Sequence, residues 1–376
     1  MAKPRVAFVV GTRPDAIKSA PTILEFQRFP EVETVVLSTG QHREMLDQVF
    51  STFGIRADVD LGVMRHGQGL AEMTCRVLEG LDQTLAEVQP DYLMAQGDTT
   101  TTFVASLASF YRQIPFGHIE AGLRTPRIDN PFPEEFNRRA AGLVATHHFA
   151  PTAWSRDNLL REGKSPESVF VTGNTGIDAV LDIAARPGEP WFPGEGGRLV
   201  LLTTHRRENW GDPQRDIALA AKEIVSRVPD VFLVVPMHRN PAVRETLQAV
   251  LGGADRVHLI EPPDYDRFVQ LMKRSYLILS DSGGVQEEAP AFGVPVLVLR
   301  ETTERPEGVD AGTAKLIGAD RQRIVDEALR LLQNEQAYGD MANAVSPYGD
   351  GKASARIRHV VLRHLGLNSE EVAMWA

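Results

Sequence analysis

The sequence has little cysteine, no excess of positive charge and no long apolar run. Of the 376 residues only Cys75 is a cysteine, which excludes an internal disulfide and a cysteine-based metal cluster and indicates a reducing compartment. The formal net charge of −10 disfavours binding to nucleic acid or to anionic membranes. No apolar run approaches the roughly 18 residues that a membrane helix needs, and Met1 to Arg5 lead into a strand without a signal-type segment. We therefore expect a cytoplasmic protein.

The sequence also lacks the glycine fingerprint of dinucleotide-binding proteins. The first predicted strand ends at Gly11-Thr12-Arg13-Pro14, which contains a single glycine where the fingerprint requires three. We therefore expect no nicotinamide or flavin cofactor, and no other cofactor. His205 and His238 follow predicted strands, but neither clustered cysteines nor histidines at helical i,i+4 spacing accompany them, so no metal site is expected either.

Predicted strands and helices alternate along the whole chain. One set of strand and helix units begins at Arg5, a second covers Leu199 to Leu299, and the Pro/Gly-rich segment 186–197 is the compositional linker between them. This alternation is typical of parallel sheets covered by helices on both faces. A chain of 376 residues suits two such domains. The sequence therefore predicts an α/β protein of two lobes with a ligand-binding cleft between them.

A glycine turn in the second lobe predicts a phosphate site. The apolar strand Tyr276 to Ser280 leads into Asp281-Ser282-Gly283-Gly284, and a short helix follows through Glu288. Adjacent glycines let the backbone approach a ligand, and the N–H groups and dipole of a helix start favour a diphosphate. Glu288, about one turn into the helix, could accept both hydroxyls of a ribose. An ordinary turn with a solvated Glu-Glu pair is the alternative.

Three acidic residues follow strand ends or turns of the first lobe. Asp98 and Glu120 each follow a predicted buried strand, and Glu134 stands at a proline-stiffened helix entry. A doubly wound sheet would gather them on one rim, beside Arg13 and Lys18 at the end of the first strand. Acid–base chemistry is one interpretation. A helix N-cap is the alternative for Asp98, and plain surface charge is the alternative for the two cations.

The motifs, taken in order over nearly the whole chain, resemble the bacterial non-hydrolysing UDP-N-acetylglucosamine 2-epimerases. The matching segments are Gly11-Thr12-Arg13-Pro14 with Lys18, Gln41 to Met45, Gly97 to Thr101, His118 to Arg124, Pro133 to Glu135, His205 to Glu208, Asp281 to Glu288 and Glu304 to Glu307. The resemblance implies a GT-B-like fold with two Rossmann-like doubly wound parallel-sheet domains. Residues 1–167 would carry the catalytic carboxylates and residues 168–360 the UDP site, with a C-terminal helix at about 361–376 packing on the first domain. A homodimer is also implied.

The resemblance implies reversible conversion of UDP-GlcNAc to UDP-ManNAc, which would supply ManNAc units for cell-surface polysaccharide. Because C2 of the sugar has no adjacent carbonyl, the route implied is elimination of UDP to 2-acetamidoglucal and re-addition with the proton on the other face. Asp98, Glu120 and Glu134 would transfer the protons, and the sequence does not assign which of them takes the C2 proton. UDP-GlcNAc, UDP-ManNAc and UDP are the expected ligands, with no nucleic acid and no membrane.

The other residues of the resemblance would hold the nucleotide or an activator. The residues that would stabilise the departing diphosphate are Arg13, Lys18, His205 and the Gly283-Gly284 helix start. Those that would bind phosphate, ribose, pyrophosphate and uracil in turn are Ser282, Glu288, Arg305 and Phe268. Those that would bind UDP-GlcNAc at a neighbouring activator site are Gln41, His42, Arg206 and His238. Thr204 stands where relatives commonly have glycine, so the loop of His205 is expected to be set slightly differently.

Three other functions stay open on the sequence. A GT-B glycosyltransferase would share the phosphate site and Glu288 but has no need of three acids in the first lobe. A hydrolysing 2-epimerase would let water trap the intermediate and release ManNAc. A sugar-nucleotide sensor would bind UDP-GlcNAc and leave it unchanged.

Overall fold

The structure, a computed structural model, describes residues 3–40, 43–63, 65, 67–186 and 196–375, and of residues 44 and 45 the backbone only. Contacts divide the chain into two compact units. Unit 1 is Met1–Ala179 with Tyr348–Ala376, and unit 2 is Val180–Pro347. The chain therefore passes from unit 1 to unit 2 once and returns near its end.

Strands and helices alternate in both units. In unit 1 the elements are β1 (Arg5–Val10), α1 (Arg13–Gln27), β2 (Glu33–Ser38), α2 (Arg43–Phe53), β3 (Val59–Asp60), α3 (Leu70–Val88), β4 (Tyr92–Gln96), α4 (Thr100–Tyr111), β5 (Phe116–Ile119), α5 (Glu134–Val144), β6 (His147–Ala150), α6 (Ala153–Arg161) and β7 (Val169–Val171). Helix α7 (Thr175–Ala185) contains the change to unit 2. Unit 2 continues with β8 (Arg198–Thr203), α8 (Asp212–Arg227), β9 (Val231–Pro236), α9 (Pro241–Leu251), β10 (Val257–Ile260), α10 (Tyr265–Arg274), β11 (Leu277–Ser280), α11 (Gly283–Glu288), β12 (Val296–Val298), α12 (Pro306–Asp310), β13 (Ala314–Leu316), α13 (Arg321–Gln333) and α14 (Glu335–Ala342). Helix α15 (Ala353–His364) belongs to unit 1.

Each unit contains one parallel sheet. Within the described residues, the order in unit 1 is β3-β2-β1-β4-β5-β6-β7, and the order in unit 2 is β10-β9-β8-β11-β12-β13. Counted from the first strand of each unit, both begin 3-2-1-4-5-6, the order of the doubly wound dinucleotide-binding fold. The predicted class, two Rossmann-like α/β domains, is confirmed.

The central strands are apolar throughout because helices cover both faces of each sheet. Residues Val6–Val10 of β1 and Val231–Val235 of β9 are all buried. Two short strands, β3 and β13, were not predicted from the sequence, since two and three residues carry too little pattern to detect. Val144 is the last residue of α5, and β6 begins at His147.

Helix α15 is fixed to unit 1 by buried polar contacts. The carboxylate of Asp178 accepts the backbone N–H groups of Ala353 (3.2 Å) and Ser354 (2.8 Å). The Ser354 hydroxyl lies 3.1 Å from that of Thr22 on α1. The Trp375 N–H, in the segment after α15, donates to the Val171 carbonyl at 2.9 Å. The end of the chain therefore covers the edge strand β7.

Helices α4 and α5 pack together and expose large apolar side chains. Phe110 and Tyr111 at the end of α4 are 60% and 64% exposed, and Phe136 and Leu143 of α5 are 47% and 76% exposed. We call these four residues the α4/α5 apolar face. Exposed patches of this kind in water-soluble domains mark interaction surfaces. In the described part of the chain, no helix is both long enough and apolar enough to cross a membrane.

Candidate active-site residues

The strand order places the functional loops. In each sheet the order reverses beside the first strand, between β1 and β4 in unit 1 and between β8 and β11 in unit 2. Loops that follow the two strands at such a point diverge to opposite faces and leave a crevice at the carboxyl ends of the strands. The loops at these points begin at Gly11 and Gly97 in unit 1, and at Thr204 and Asp281 in unit 2. Most of the predicted site residues lie on or beside them.

Glu120 directly follows β5, and side chains from several elements hold its carboxylate. Its carboxylate forms an ion pair with Lys18 and accepts hydrogen bonds from Gln96 Nε2 at 2.5 Å and Asn174 Nδ2 at 3.4 Å. The backbone of Glu120 has φ +63°, a left-handed conformation that is costly for a residue with a side chain. Gly97, with φ +77°, lies opposite, and a Cβ there would be 3.4 Å from Glu120 Oε2. The two strand ends therefore pack closely around one carboxylate.

Asp98 lies in the loop after β4 and pairs with a different cation from Glu120. Its carboxylate forms an ion pair with Arg138 of α5, and its carbonyl accepts a hydrogen bond from Asn137 Nδ2 at 2.9 Å. Burial raises the pKa of Asp98, Arg138 opposes the rise, and the charge of Glu120 adds to it. The helix N-cap of α4 is Thr99, whose hydroxyl accepts the Thr102 N–H. The N-cap interpretation of Asp98 is therefore wrong.

A fully buried carboxylate, Glu135, holds the cation that pairs with Asp98. Glu135 accepts hydrogen bonds from Arg138 Nη1 at 3.2 Å, Arg139 Nε at 2.6 Å and the Thr125 N–H at 3.1 Å. Arg138 is thus fixed between Glu135 and Asp98. Glu134 begins α5, one turn before Arg138, and is half-buried; no described residue forms an ion pair or hydrogen bond with its carboxylate.

His118 supports the same loops from beneath. Its Nε2 lies 2.7 Å from the Gly97 carbonyl and donates to it, because a carbonyl can only accept. Burial lowers the pKa of His118 to about 4, so the ring is neutral near pH 7. His118 therefore fixes the position of the Gly97 turn.

The predicted cations Arg13 and Lys18 both lie on α1, at the carboxyl end of β1. Lys18 forms the ion pair with Glu120, so it belongs to the group of side chains around Glu120 and Asp98, which we call the acid cluster. Arg13 is the first residue of the helix and is half-buried, and no described residue pairs with its guanidinium. Thr12 and Asp15 form a capping box at this helix start, and Asp15 Oδ2 also accepts the Thr99 hydroxyl at 3.1 Å. Burial raises the pKa of Asp15 to about 7.

In unit 2 the loop after β8 is held by Asp281. The backbone N–H of His205 and that of Arg206 each donate to this buried carboxylate at 3.0 Å. His205 Nδ1 also lies 3.0 Å from Asp281 Oδ1. The ring of His238 lies 5.8 Å from that of His205, and its pKa is lowered by burial and by His205. His205, Arg206 and His238 are therefore neighbours.

The glycine turn carries a cation against its backbone. A Cβ at Gly283 would lie 2.8 Å from Arg305 Cζ, so any side chain at position 283 would force the Arg305 guanidinium to move. Arg305 also forms an ion pair with the buried Glu287. Helix α11 has six residues and continues as a 3-10 turn, so its macrodipole is smaller than a longer helix would provide. Arg305 therefore lies against the backbone of the glycine turn while paired with Glu287.

Three further predicted binding residues lie near this turn in the chain. Ser282 is the N-cap residue of α11 and makes no side-chain capping bond. Glu288 is half-buried at the end of α11, with Oε1 3.8 Å from the position of a Cβ on Gly284. Phe268 lies in α10 and is half-buried. Gln41 and His42, predicted for the activator site, lie outside the described residues.

A protein-family model described as UDP-N-acetylglucosamine 2-epimerase matches residues 24–362. The UDP-N-acetylglucosamine 2-epimerase of Bacillus subtilis (strain 168) is 50% identical over 374 residues, covering 99% of this chain and 98% of the relative. That of Salmonella typhimurium (strain LT2) is 50% identical over 364 residues, covering 94% and 97%. The chain belongs to the UDP-N-acetylglucosamine 2-epimerase family. The crystal structure of the UDP-GlcNAc 2-epimerase from Neisseria meningitidis bound to UDP-GlcNAc is similar to this epimerase-family fold, with a TM-score of 0.85, 46% identity, and coverage of 96% of this chain and 100% of that chain.

Several residues of this family member that hold the acid cluster were not identified from the sequence. They are Gln96, Glu135, Arg138 and Asn174. Arg138 could have been found, because it stands one helical turn after Glu134 on the same face. Asn174 could not, since it reaches Glu120 only through the packing of β7 beside β6. Among the described residues of the chain, no group of three or more His, Cys, Asp or Glu is arranged to hold a metal ion.

The buried Asp15 in this family member should make stability depend on pH. The pKa of Asp15 is about 7 in the folded state, above its ordinary value of 3.8, so folding becomes less favourable as pH rises between those two values. Asp15→Asn removes this loss. The difference in Tm, variant minus wild type, should therefore be more positive at about pH 8 than at about pH 4, measured by thermal unfolding. Asp47→Asn, at an exposed site on α2, is the control. An equal difference at both pH values would contradict the assignment.

Proposed function

We propose that the protein converts UDP-GlcNAc to UDP-ManNAc reversibly, by elimination of UDP to 2-acetamidoglucal and re-addition, without hydrolysis. The observation that carries the proposal is the pair of carboxylates at the carboxyl ends of β4 and β5, each with its own cation: Glu120 with Lys18, and Asp98 with Arg138. Family membership supports the substrate, since the Neisseria relative has UDP-GlcNAc bound. The product would supply ManNAc units for cell-surface polysaccharide.

The elimination has a simple balance of atoms and electrons. A base takes the C2 proton, the electron pair of that C–H bond forms the C1–C2 double bond, and the C1–O bond breaks with its pair moving to the β-phosphate oxygen of UDP. Re-addition of UDP reverses these changes, with the proton delivered to the other face of C2. The reaction therefore needs two proton-transfer groups and a set of donors for the departing diphosphate.

The two carboxylates have different partners. Burial favours the protonated form of Asp98 and Arg138 opposes it, whereas Lys18 and Gln96 donate hydrogen bonds to Glu120. We therefore assign proton acceptance to Glu120 and proton donation to Asp98 in one direction, with the roles exchanged in the other. Glu134, one turn before Arg138, is the third acid and is assigned to the same cluster.

Each nucleotide-binding residue proposed in unit 2 would contact a different part of UDP. Arg305, Ser282 and the N–H groups at Gly283-Gly284 would hold the diphosphate, and Glu288 would accept the ribose hydroxyls. Phe268 would pack against uracil, and Arg13 would add a cation to the phosphates. The activator site predicted from Gln41, His42, Arg206 and His238 stays a prediction.

One time course separates this function from the alternatives. Incubation with UDP-GlcNAc alone, followed by NMR, should give a mixture of UDP-GlcNAc and UDP-ManNAc. A hydrolysing epimerase would release free ManNAc and UDP, a glycosyltransferase would turn over only with an added acceptor, and a sensor would leave the substrate unchanged.

Turnover in D2O tests the elimination itself. Because the C2 proton is lost to a side chain and another is returned, UDP-ManNAc formed in D2O should carry deuterium at C2, seen as loss of the C2 proton signal. An 18O label in the bridging position should scramble into non-bridging β-phosphate oxygens.

Asp98→Asn, Glu120→Gln and Glu134→Gln should each lower kcat by roughly 10²–10⁴-fold, with UDP affinity unchanged. The exposed Asp129→Asn is the control. Product that retains the original C2 hydrogen would refute the route.

Glu288→Gln tests the ribose contact. The variant loses the charge on a hydrogen-bond acceptor, which should weaken UDP binding by roughly 1.5–3 kcal/mol, or about 10- to 150-fold in Kd. Titration calorimetry with UDP measures this directly, and Glu245→Gln, exposed on α9, should bind as the wild type does. An unchanged Kd in Glu288→Gln would remove the ribose role.

We also propose that the α4/α5 apolar face is the contact of a homodimer. Phe110, Tyr111, Phe136 and Leu143 lie on two adjacent helices, and the Phe136 ring packs at 5.5 Å against Phe103, which keeps the face ordered. An exposed apolar patch on two adjacent helices suits a two-fold interface, in which the same surface of both copies meets.

Leu143→Glu places a charge in the proposed contact and should convert the dimer to a monomer. Light scattering after gel filtration would give the mass of each form, against 41.4 kDa for one chain. Val345→Glu is a matched control, because Val345 is equally exposed, at 76%, but lies in unit 2. A dimer that survives Leu143→Glu would place the contact elsewhere, and a wild-type monomer would refute the homodimer.

A further inference from the structure

Asp281 is a fully buried carboxylate at the end of β11, directly before the glycine turn. Its oxygens accept hydrogen bonds from the loop after the neighbouring strand β8. The donors are the Thr204 hydroxyl at 2.9 Å, the N–H groups of His205 and Arg206 at 3.0 Å, and Asn209 Nδ2 at 3.0 Å. His205 Nδ1 is a further partner, 3.0 Å from Oδ1. The loop is thus fixed to one side chain.

The same carboxylate determines the state of the His205 ring. A carboxylate can only accept, so Nδ1 carries the proton that lies between them. Nε2 is then the remaining ring nitrogen; no described residue hydrogen-bonds to it, and 39% of the His205 side chain is exposed. The ring therefore has one nitrogen anchored in the protein and one available to a ligand.

The anchor is rigid because it joins two strands of the sheet. Strands β8 and β11 are hydrogen-bonded neighbours, with Thr203 beside Ser280, and the hydroxyls of these two residues lie 2.7 Å apart. Asp281 is 0% exposed and follows Ser280, so it has no freedom to turn toward solvent. His205 is consequently held at a fixed position relative to Ser282 and Gly283.

We propose that Asp281 is a positioning residue for His205, which it holds by Nδ1 so that Nε2 meets the diphosphate of the nucleotide. The identity of the ligand rests on the proposed function, whereas the orientation and tautomer of the ring do not. The pairing of Asp281 with His205 was not predicted from the sequence, which assigned His205 to the diphosphate clamp without Asp281.

The pairing fits the charge that the reaction develops. As the C1–O bond breaks, its electron pair moves to the β-phosphate oxygen, and Nε2, when it carries a proton, donates a hydrogen bond to that oxygen; on re-addition the hydrogen bond is released. Burial acts to raise the pKa of Asp281, but the hydrogen bonds and charge of His205 and the backbone bonds lower it to about 2. Asp281 therefore stays ionised and stabilises the imidazolium without taking its proton. Among the described residues, His238 also faces the ring, with its centroid 5.8 Å from that of His205.

The first test uses the wild-type protein and needs no activity. Long-range 1H–15N correlation spectra of the histidine rings, assigned with His205→Gln, should show neutral His205 with the proton on Nδ1 and Nε2 unprotonated. Asp281→Asn should abolish this preference, and Asp255→Asn, at a 93% exposed site, should preserve it. A neutral His205 protonated at Nε2 in the wild type would overturn the proposal, whatever the enzyme's activity.

The second test is a double-mutant cycle on kcat. If Asp281 acts through His205, Asp281→Asn should lower kcat by about 10²-fold in the wild type but by less than about threefold in a His205→Gln background. Thr204→Val, which removes one donor to Asp281 and keeps the His205 contact, should have a kcat close to that of the wild type. Together with thermal unfolding of each variant, it controls for loss of the fold. Independent, additive losses would show that Asp281 only stabilises the loop.

Failure of the two proposals can be told apart. A wild type that leaves UDP-GlcNAc unchanged refutes the epimerase function, and the NMR result alone then decides the pairing. An active wild type with the Nε2–H tautomer, or with additive losses, refutes the pairing and leaves the epimerase function intact.

Discussion

Parallel strands bring their carboxyl ends to one edge of a sheet, and this constraint locates every functional group described above. In unit 1 it brings Gly97, Asp98 and Glu120 together although β4 and β5 are separated by a helix. In unit 2 it brings the loop of His205 beside Asp281, across 76 residues of chain. Side chains remote in sequence become neighbours because the strands before them are neighbours. The chemistry follows from the strand order before any single contact is considered.

Within that frame, charge pairing sets what each carboxylate can do. Glu120 has a lysine and two amides, Asp98 has one arginine, and Glu135 has two arginines and no exposure. A buried carboxylate without such partners would cost several kcal/mol and would be protonated. Glu135 therefore fixes the position of Arg138, and Arg138 in turn opposes the rise in the pKa of Asp98 that burial causes. Substitution of Arg138 would therefore raise the proton affinity of Asp98 although Asp98 itself is unchanged.

The sequence was sufficient for the fold class and for most strand ends, because buried parallel strands are short, apolar and followed by glycine or threonine turns. It was not sufficient for the partners. Nothing in the local pattern shows that Asn174, after β7, reaches Glu120, or that Asp281 accepts the N–H groups of residues 205 and 206. Thr99 and Asp98 have similar capping propensity, and only the backbone geometry identifies Thr99 as the cap of α4. Contacts that depend on packing between distant elements lie beyond a local pattern.

The two sets of functional residues are each complete within their own unit. Every described partner of Glu120 and Asp98 named above belongs to unit 1, and every named partner of Asp281 belongs to unit 2. A substitution in one set therefore leaves the contacts of the other intact. In the proposed reaction, residues of unit 2 would bind UDP through both half-reactions, and residues of unit 1 would exchange the proton at C2. Epimerisation without hydrolysis would then require that 2-acetamidoglucal and UDP both stay bound until re-addition.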